Sequence, residues 1–306
     1  MASRQAPGCP TAARGQLFAL SQRFQHRVTW RSITTKGGDM KSSRVCVFCD
    51  EEIGRDAPPE HVLPQWLRRL LPKRGRFIEA RAVTITGEPP NPIPKQPTAR
   101  SKTPTITTNL VCRDCNGRWM SDLETRASPL LRPMIVGQPR PLSVEEQAFV
   151  AVWGIKTGMT WQVSPTSVRA TPLADYRYLR IHKTPPPHTR VRLGRYLGAA
   201  FQAFADHNLA HLGSSAPGRV NLEDDPEGHW AILRIGQLVF EIFGSSRGGL
   251  PRVHDPALSG HSMIDIWPSV KGRYWPPPQS FDDAAFFALM QIDPAQLPAP
   301  PWTTSN

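Results

Sequence analysis

Apolar side chains recur at helical spacing in three stretches of the chain. Leu63, Trp66, Leu67 and Leu70 predict a short helix after His61, with Pro64 in its first turn and Pro72 ending it. Met120, Leu123 and Ala127 share a face of a second helix, which starts near Asn116 and is expected to stop before Pro129. A third helix runs from about Val144 to Trp161 behind a Ser143–Glu146 capping box. Phe149, Val150, Val152, Trp153, Ile155 and Met159 make it apolar on nearly every side, so it is expected at the centre of its domain. Its one lysine, Lys156, reads as a snorkelling or paired residue rather than a catalytic one.

Strand patterns follow. Arg190–Leu193 alternates as a half-buried strand. Trp230–Ile235 and Leu238–Phe243 flank Gly236-Gln237, which predicts a tight hairpin. Ile264–Trp267 reads as an edge strand and Trp275–Pro278 as a polyproline stretch. Glu88–Pro97 carries too many prolines for a helix or a central strand, and runs as a loop into the basic residues Lys95, Arg100 and Lys102. The pattern divides the chain into four parts. Residues 1–40 are a disordered basic tail or a wrongly assigned start, with Met40 as the true initiator. Residues 41–136 form a first module, 140–290 a second domain, and 291–306 a disordered Pro-rich tail.

The chain has 306 residues, enough for two modest domains, and 39% of them are hydrophobic. No run of 18 apolar residues exists, so no membrane-spanning helix is expected. The net charge is +12, carried mostly by 29 arginines against 8 lysines. Guanidinium groups bind phosphate bidentately, so this bias suits a nucleic-acid partner, although a solvated basic surface accounts for charge alone equally well. Residues 1–39 supply +5 of that charge and hold no apolar core long enough for a signal peptide.

Four of the five cysteines fall into two Cys-x-x-Cys pairs, Cys46/Cys49 and Cys112/Cys115. Two such knuckles suit one tetrahedral structural Zn²⁺ better than disulfides or four ordinary buried thiols, and imply a reducing, cytoplasmic setting. A zinc with four thiolates has no open position, so the chemistry must come from elsewhere. Between the knuckles lies Glu60-His61, and Asn116 directly follows the second. A lone histidine is usually a satisfied core or surface residue, Glu60 could be a loop acid and Asn116 a helix cap. Taken together, however, they supply a base that works at neutral pH and two oxygen donors for a cation, which phosphodiester hydrolysis needs. His207 and His211 lack the glutamate of a zinc-protease helix and read as surface. His182 and His188 flank three prolines and read as loop. Arg68, Arg69, Arg113 and Arg118 are candidate phosphate contacts.

Cys-x-x-Cys, Glu-His-x-x-Pro and Asn-Leu-x-Cys-x-x-Cys-Asn together resemble the HNH endonucleases with the ββα-metal fold. The continuation Asn116–Glu124 is similar to a bacterial and phage-associated branch, and Trp153–Thr157 and Ile266–Pro268 resemble its carboxyl region. The resemblance covers residues 45–136 well and the remainder weakly. It implies that His61 ends the first strand of the motif as general base. It makes Glu60 and Asn116 ligands of a catalytic Mg²⁺ or Mn²⁺, and Asn109 the residue that orients the loop carrying the base. The expected fold class is α+β, a small zinc-stapled ββα-metal nuclease module followed by a second α+β domain with a central helix and an antiparallel sheet. The expected function is metal-dependent cleavage of DNA, with RNA left open as the substrate. The alternative is a non-catalytic zinc-knuckle module that binds nucleic acid or protein, in which Glu60-His61 is incidental.

Overall fold

The structure is a computed structural model. It describes residues 44–54, 57–71, 77–78, 106–164, 171–198, 203–209, 229–244 and 262–289, all within a compact unit that spans residues 43–306. The expected tails, the Pro-rich loop at 88–97 and His211 lie outside these residues. The architecture is mixed α+β with antiparallel pairing dominant.

The first layer holds the knuckles. Strand β1 (Glu60–His61) is followed by a 3-10 helix at Gln65–Arg69 that begins after Pro64 and buries Leu67. Strand β2 (Phe77–Ile78) belongs to the sheet described below. Strand β3 (Thr107–Thr108) pairs antiparallel with β1, Glu60 opposite Thr108 and His61 opposite Thr107. Cys112 caps the short helix α1 (Arg113–Cys115), which passes through a π-helical turn (Asn116–Met120) into helix α2 (Ser121–Ile135).

Helix α2 does not stop at Pro129 as the sequence suggests; it carries Pro129 and Pro133 within it. Leu131, Met134 and Ile135 extend the buried stripe of Leu123 and Ala127, and that packing outweighs the local signal. Both prolines sit on the less buried side, where water can take the carbonyls they leave unpaired.

The second layer is helix α3 (Val144–Gln162), entered from strand β4 (Arg140–Leu142). Its capping box forms as expected: Ser143 Oγ accepts from the Glu146 N–H, and Glu146 Oε2 accepts from the Ser143 N–H at 2.8 Å. Helix α4 (Leu173–His182) follows and packs Tyr176 and Leu179 inward, with the Tyr176 hydroxyl donating to the Met159 carbonyl at 3.0 Å.

The third layer is a six-stranded sheet that contains β2, β5 (Thr189–Arg195), β6 (Ala203–Leu209), β7 (His229–Ile235), β8 (Leu238–Gly244) and β9 (Met263–Trp267). The strand order is β2-β6-β7-β8-β5-β9, so β9 is an edge, as its sequence suggests. β2 runs parallel to β6; every other pair is antiparallel. β5 is buried over most of its length rather than on alternate residues, because it lies inside the sheet. The β7–β8 hairpin closes over Gly236-Gln237, where Gly236 has φ +58°, a conformation that glycine adopts without strain. Trp275 belongs to strand β10 (Arg273–Trp275), which pairs with β4 rather than forming a polyproline stretch. Helix α5 (Asp283–Leu289) contributes Phe286 and Leu289 to a smaller apolar cluster with Tyr196, Ile232, Val239 and Met263.

A single cluster of buried side chains runs from Cys46 through α3 to Trp275. Trp153 joins its two halves, packing on Trp66 with ring centroids 6.3 Å apart and on Phe240 at 5.7 Å. Against the sheet, α3 presents Gly154, which lets the backbone approach closely. A Cβ on Gly154 would lie 2.6 Å from the Phe240 ring. Gly154→Ala is therefore expected to destabilise the fold by about 1–3 kcal/mol through overpacking, despite alanine's better helix propensity. A urea melt followed by far-UV circular dichroism would check this.

Candidate metal centre and the buried carboxylate cluster

Each knuckle is shaped by its own backbone. In the first, the Cys46 N–H donates to the Glu51 carbonyl at 2.9 Å, and the Asp50 N–H to the Cys46 carbonyl at 2.9 Å. In the second, the Cys115 N–H donates to Cys112 Sγ at 3.4 Å and the Asn116 N–H to the Cys112 carbonyl at 3.0 Å. The Val47 N–H ties the knuckles together by donating to the Leu110 carbonyl at 3.0 Å. Phe48 packs from the first knuckle onto Trp119 and Tyr176.

The four sulfurs lie within 4.8 Å of one another, with Cys49 and Cys112 Sγ at 3.5 Å. Zinc–sulfur bonds of about 2.3 Å place the ligands of a regular tetrahedron about 3.8 Å apart, so the cluster fits a zinc ion. Its electrostatics fit as well. The hydrogen bond from Cys115 holds the Cys46 thiol down to about 5, while burial pushes the Cys49 thiol up to about 11. The same bond to Cys46, then burial, pushes Cys115 up. Four crowded thiols do not all ionise by themselves; a divalent cation would let them. Cys46, Cys112 and Cys115 are buried and Cys49 is half-buried.

Glu60 and His61 form β1. Glu60 is buried and His61 half-buried. Glu60 does not face solvent alone. Lys156, fully buried in α3, places Nζ 3.7 Å from Glu60 Oε1 and 2.6 Å from Glu124 Oε1. Glu124 comes from α2, and its other oxygen accepts from Trp66 Nε1 at 3.1 Å. The Arg132 guanidinium stacks over Trp66 at 5.1 Å. Two carboxylates share one ammonium, so the group is one positive charge short of balance whenever both are ionised. Burial raises Glu60 above the ordinary carboxylate range; Lys156 pulls it back, Glu124 pushes it up further, and the His61 backbone N–H favours the charged form. A cavity of about 390 Å³ opens beside Glu124, lined also by Ser121, Thr125, Ser128 and Arg132.

Asn116 begins the π-helical turn and is half-buried. None of the hydrogen bonds described joins it to Glu60, whose side-chain partner is Lys156. Asn109 is exposed in the bend after β3. The hydroxyl that fastens this bend belongs to Thr108, which donates to the Val163 carbonyl at 2.6 Å and accepts from the Leu110 N–H at 3.2 Å. Arg69, Arg113 and Arg118 are exposed, with Arg118 paired to Asp114. His182 ends α4 and His188 has φ +60° in the loop beyond it. His207 lies on β6.

Comparison of the chain with family models, with curated proteins and with solved structures gives no match. Among the described residues no helix is long and apolar enough to cross a membrane.

Two outcomes are expected. Purified protein carries about one zinc per chain by elemental analysis. Cys49→Ser or Cys115→Ser loses it together with the fold of the first layer, since structural zinc contributes on the order of 10 kcal/mol to small modules. Glu60, whose folded pKa is raised, contributes stability that is present at low pH and is lost as pH rises through that value. Glu60→Gln should therefore raise the melting temperature at pH 7–8, with the gain shrinking towards pH 4. A gain that is the same at both pH values would contradict this.

Proposed function

We propose that the protein is a metal-dependent endonuclease that hydrolyses phosphodiester bonds in DNA. What supports the reading most directly is the pairing of Glu60-His61 with Thr107-Thr108, immediately before a zinc knuckle that runs into a helix. That succession puts a candidate base and a buried carboxylate on the strand paired with the segment that leads into the second knuckle. The Arg-rich charge of the chain adds support, since it suits a polyanion.

In this reading the His61 imidazole takes the proton from the attacking water. Glu60 and Asn116 would hold Mg²⁺ or Mn²⁺, which supplies charge to offset the phosphate oxygens. The donor types fit a hard ion, because they are carboxylate and amide oxygens. Glu60 is kept in place by the His61 N–H and by Lys156. The zinc holds the second knuckle, and so fixes where the helix carrying Asn116 begins. Unpaired thiols of this kind suit a cytoplasmic protein.

A second reading is favoured by one observation. Lys156 neutralises Glu60 in part, as it would in a purely structural ion pair, and the chain would then be a zinc-knuckle module that only binds nucleic acid. Supercoiled-plasmid cleavage with Mg²⁺ or Mn²⁺, and with EDTA, separates the two. The nuclease reading expects cleavage that EDTA stops. His61→Ala should slow it by about 10²-fold or more while leaving DNA binding intact. Equal rates for His61→Ala and the parent at saturating metal would reject the mechanism and favour the binding module.

A further inference from the structure

We infer that Lys156 is a positioning residue for Glu60, and that the shared ammonium sets how strongly this site attracts a divalent cation. The inference deepens the nuclease reading and rests on it for the identity of Glu60 as a cation ligand.

The geometry is a relay of fixed contacts. Trp66 is held between Trp153 and the Arg132 guanidinium, with its indole N–H aimed at Glu124. Both Glu124 oxygens are then taken, one by Trp66 and one by Lys156. Lys156 is fully buried, so its ammonium has no water to turn to, and its remaining reach falls on Glu60 at 3.7 Å. The contact to Glu124 is much shorter than that to Glu60. Lys156 is therefore anchored on Glu124 and lends only part of its charge to Glu60. A carboxylate held from behind but only partly neutralised is suited to face a second cation. A tightly paired carboxylate would not be. The cavity beside Glu124 opens that carboxylate of the cluster to water.

The two partners of Lys156 should thus shift cation binding in opposite directions. Glu124→Gln keeps the shape of the side chain and removes one negative charge. Lys156 then serves Glu60 alone, and the group becomes neutral. Lys156→Met removes the ammonium and leaves two facing carboxylates. The group then carries two negative charges, and a cation should be drawn between Glu60 and Glu124 rather than held by Glu60 towards the substrate. A single unit charge at this range, under a protein-like dielectric, is ample for a tenfold change in affinity.

The probe is Mn²⁺, titrated into full-length zinc-loaded protein while free Mn²⁺ is followed by electron paramagnetic resonance. The parent should take up one Mn²⁺ that Glu60→Gln weakens at least tenfold. Glu124→Gln should also weaken it at least tenfold. Lys156→Met should tighten it at least tenfold while lowering any cleavage rate at least a hundredfold. A residue that only holds the fold together would not produce opposite shifts in Mn²⁺ affinity. Shifts of the same sign in Glu124→Gln and Lys156→Met, or shifts under twofold, would overturn the inference. Zinc content reports folding; where Lys156→Met loses zinc, the Glu124→Gln titration decides alone. Opposite shifts in a protein that cuts no plasmid would remove the nuclease and leave the role of Lys156 standing. Cleavage with no Glu60-dependent Mn²⁺ would do the reverse.

Discussion

An ammonium group buried at the centre of an apolar helix must be neutralised by something outside that helix. Lys156 imposes this constraint on the whole molecule. α3 is apolar on nearly every side and packs between the knuckle layer and the sheet. The ammonium fixes which side faces the knuckles, because it must meet Glu124 and Glu60 there. Breaking the close Lys156–Glu124 pair by deleting either partner costs about 3–5 kcal/mol, whereas a wholly apolar replacement can be neutral. Its worth therefore lies in fixing one arrangement more than in adding stability.

The opposite side of α3 is fixed by shape. Gly154 allows the helix to settle onto Phe240, and a larger residue there would hold it off. The β7–β8 turn then reaches the end of α2, where the Gln237 N–H donates to the Ile135 carbonyl at 2.8 Å. The far face of the sheet carries paired charges of its own, Arg190 with Asp265 and Arg192 with the buried Glu241. α2, α3 and the sheet are thus joined at both ends of α2. The cysteine cluster, Glu60 and the sheet thus belong to one packed body.

Much of this could be read from the sequence where the signal is local. The capping box at Ser143, the Gly236-Gln237 hairpin, the edge strand at Ile264 and the meeting of four cysteines all follow from short-range rules. Signals that depend on distant packing were not legible. The helix through Pro129 continues because Leu131, Met134 and Ile135 find a core that no local pattern announces. α4, β6 and α5 carry too little periodicity to stand out. Glu124 was missed as a site residue, although a clue existed. A lysine inside an apolar helix requires an acid from another element, and Glu124 sits between the inward-facing Leu123 and Ala127 on the preceding helix. Thr108 gave no signal at all, since a threonine next to an asparagine draws attention to the asparagine.

The division of labour between the two polar clusters follows from ligand chemistry. Four thiolates around a zinc ion would complete its coordination and leave no room for substrate, so such a site would only hold the chain in place. The carboxylate cluster is the reverse. Its donors are hard oxygens, its internal cation is a lysine that cannot activate water, and two carboxylates share that one ammonium. Within one compact layer the fold thus keeps a closed site, which spends its affinity on folding, apart from an unbalanced one, whose retained charge is a cost to the folded state. A buried charge kept without full compensation is the kind of local inconsistency that functional sites show. On that ground Glu60 and Lys156 are stronger candidates for function than the four cysteines, whose cluster suits a structural role.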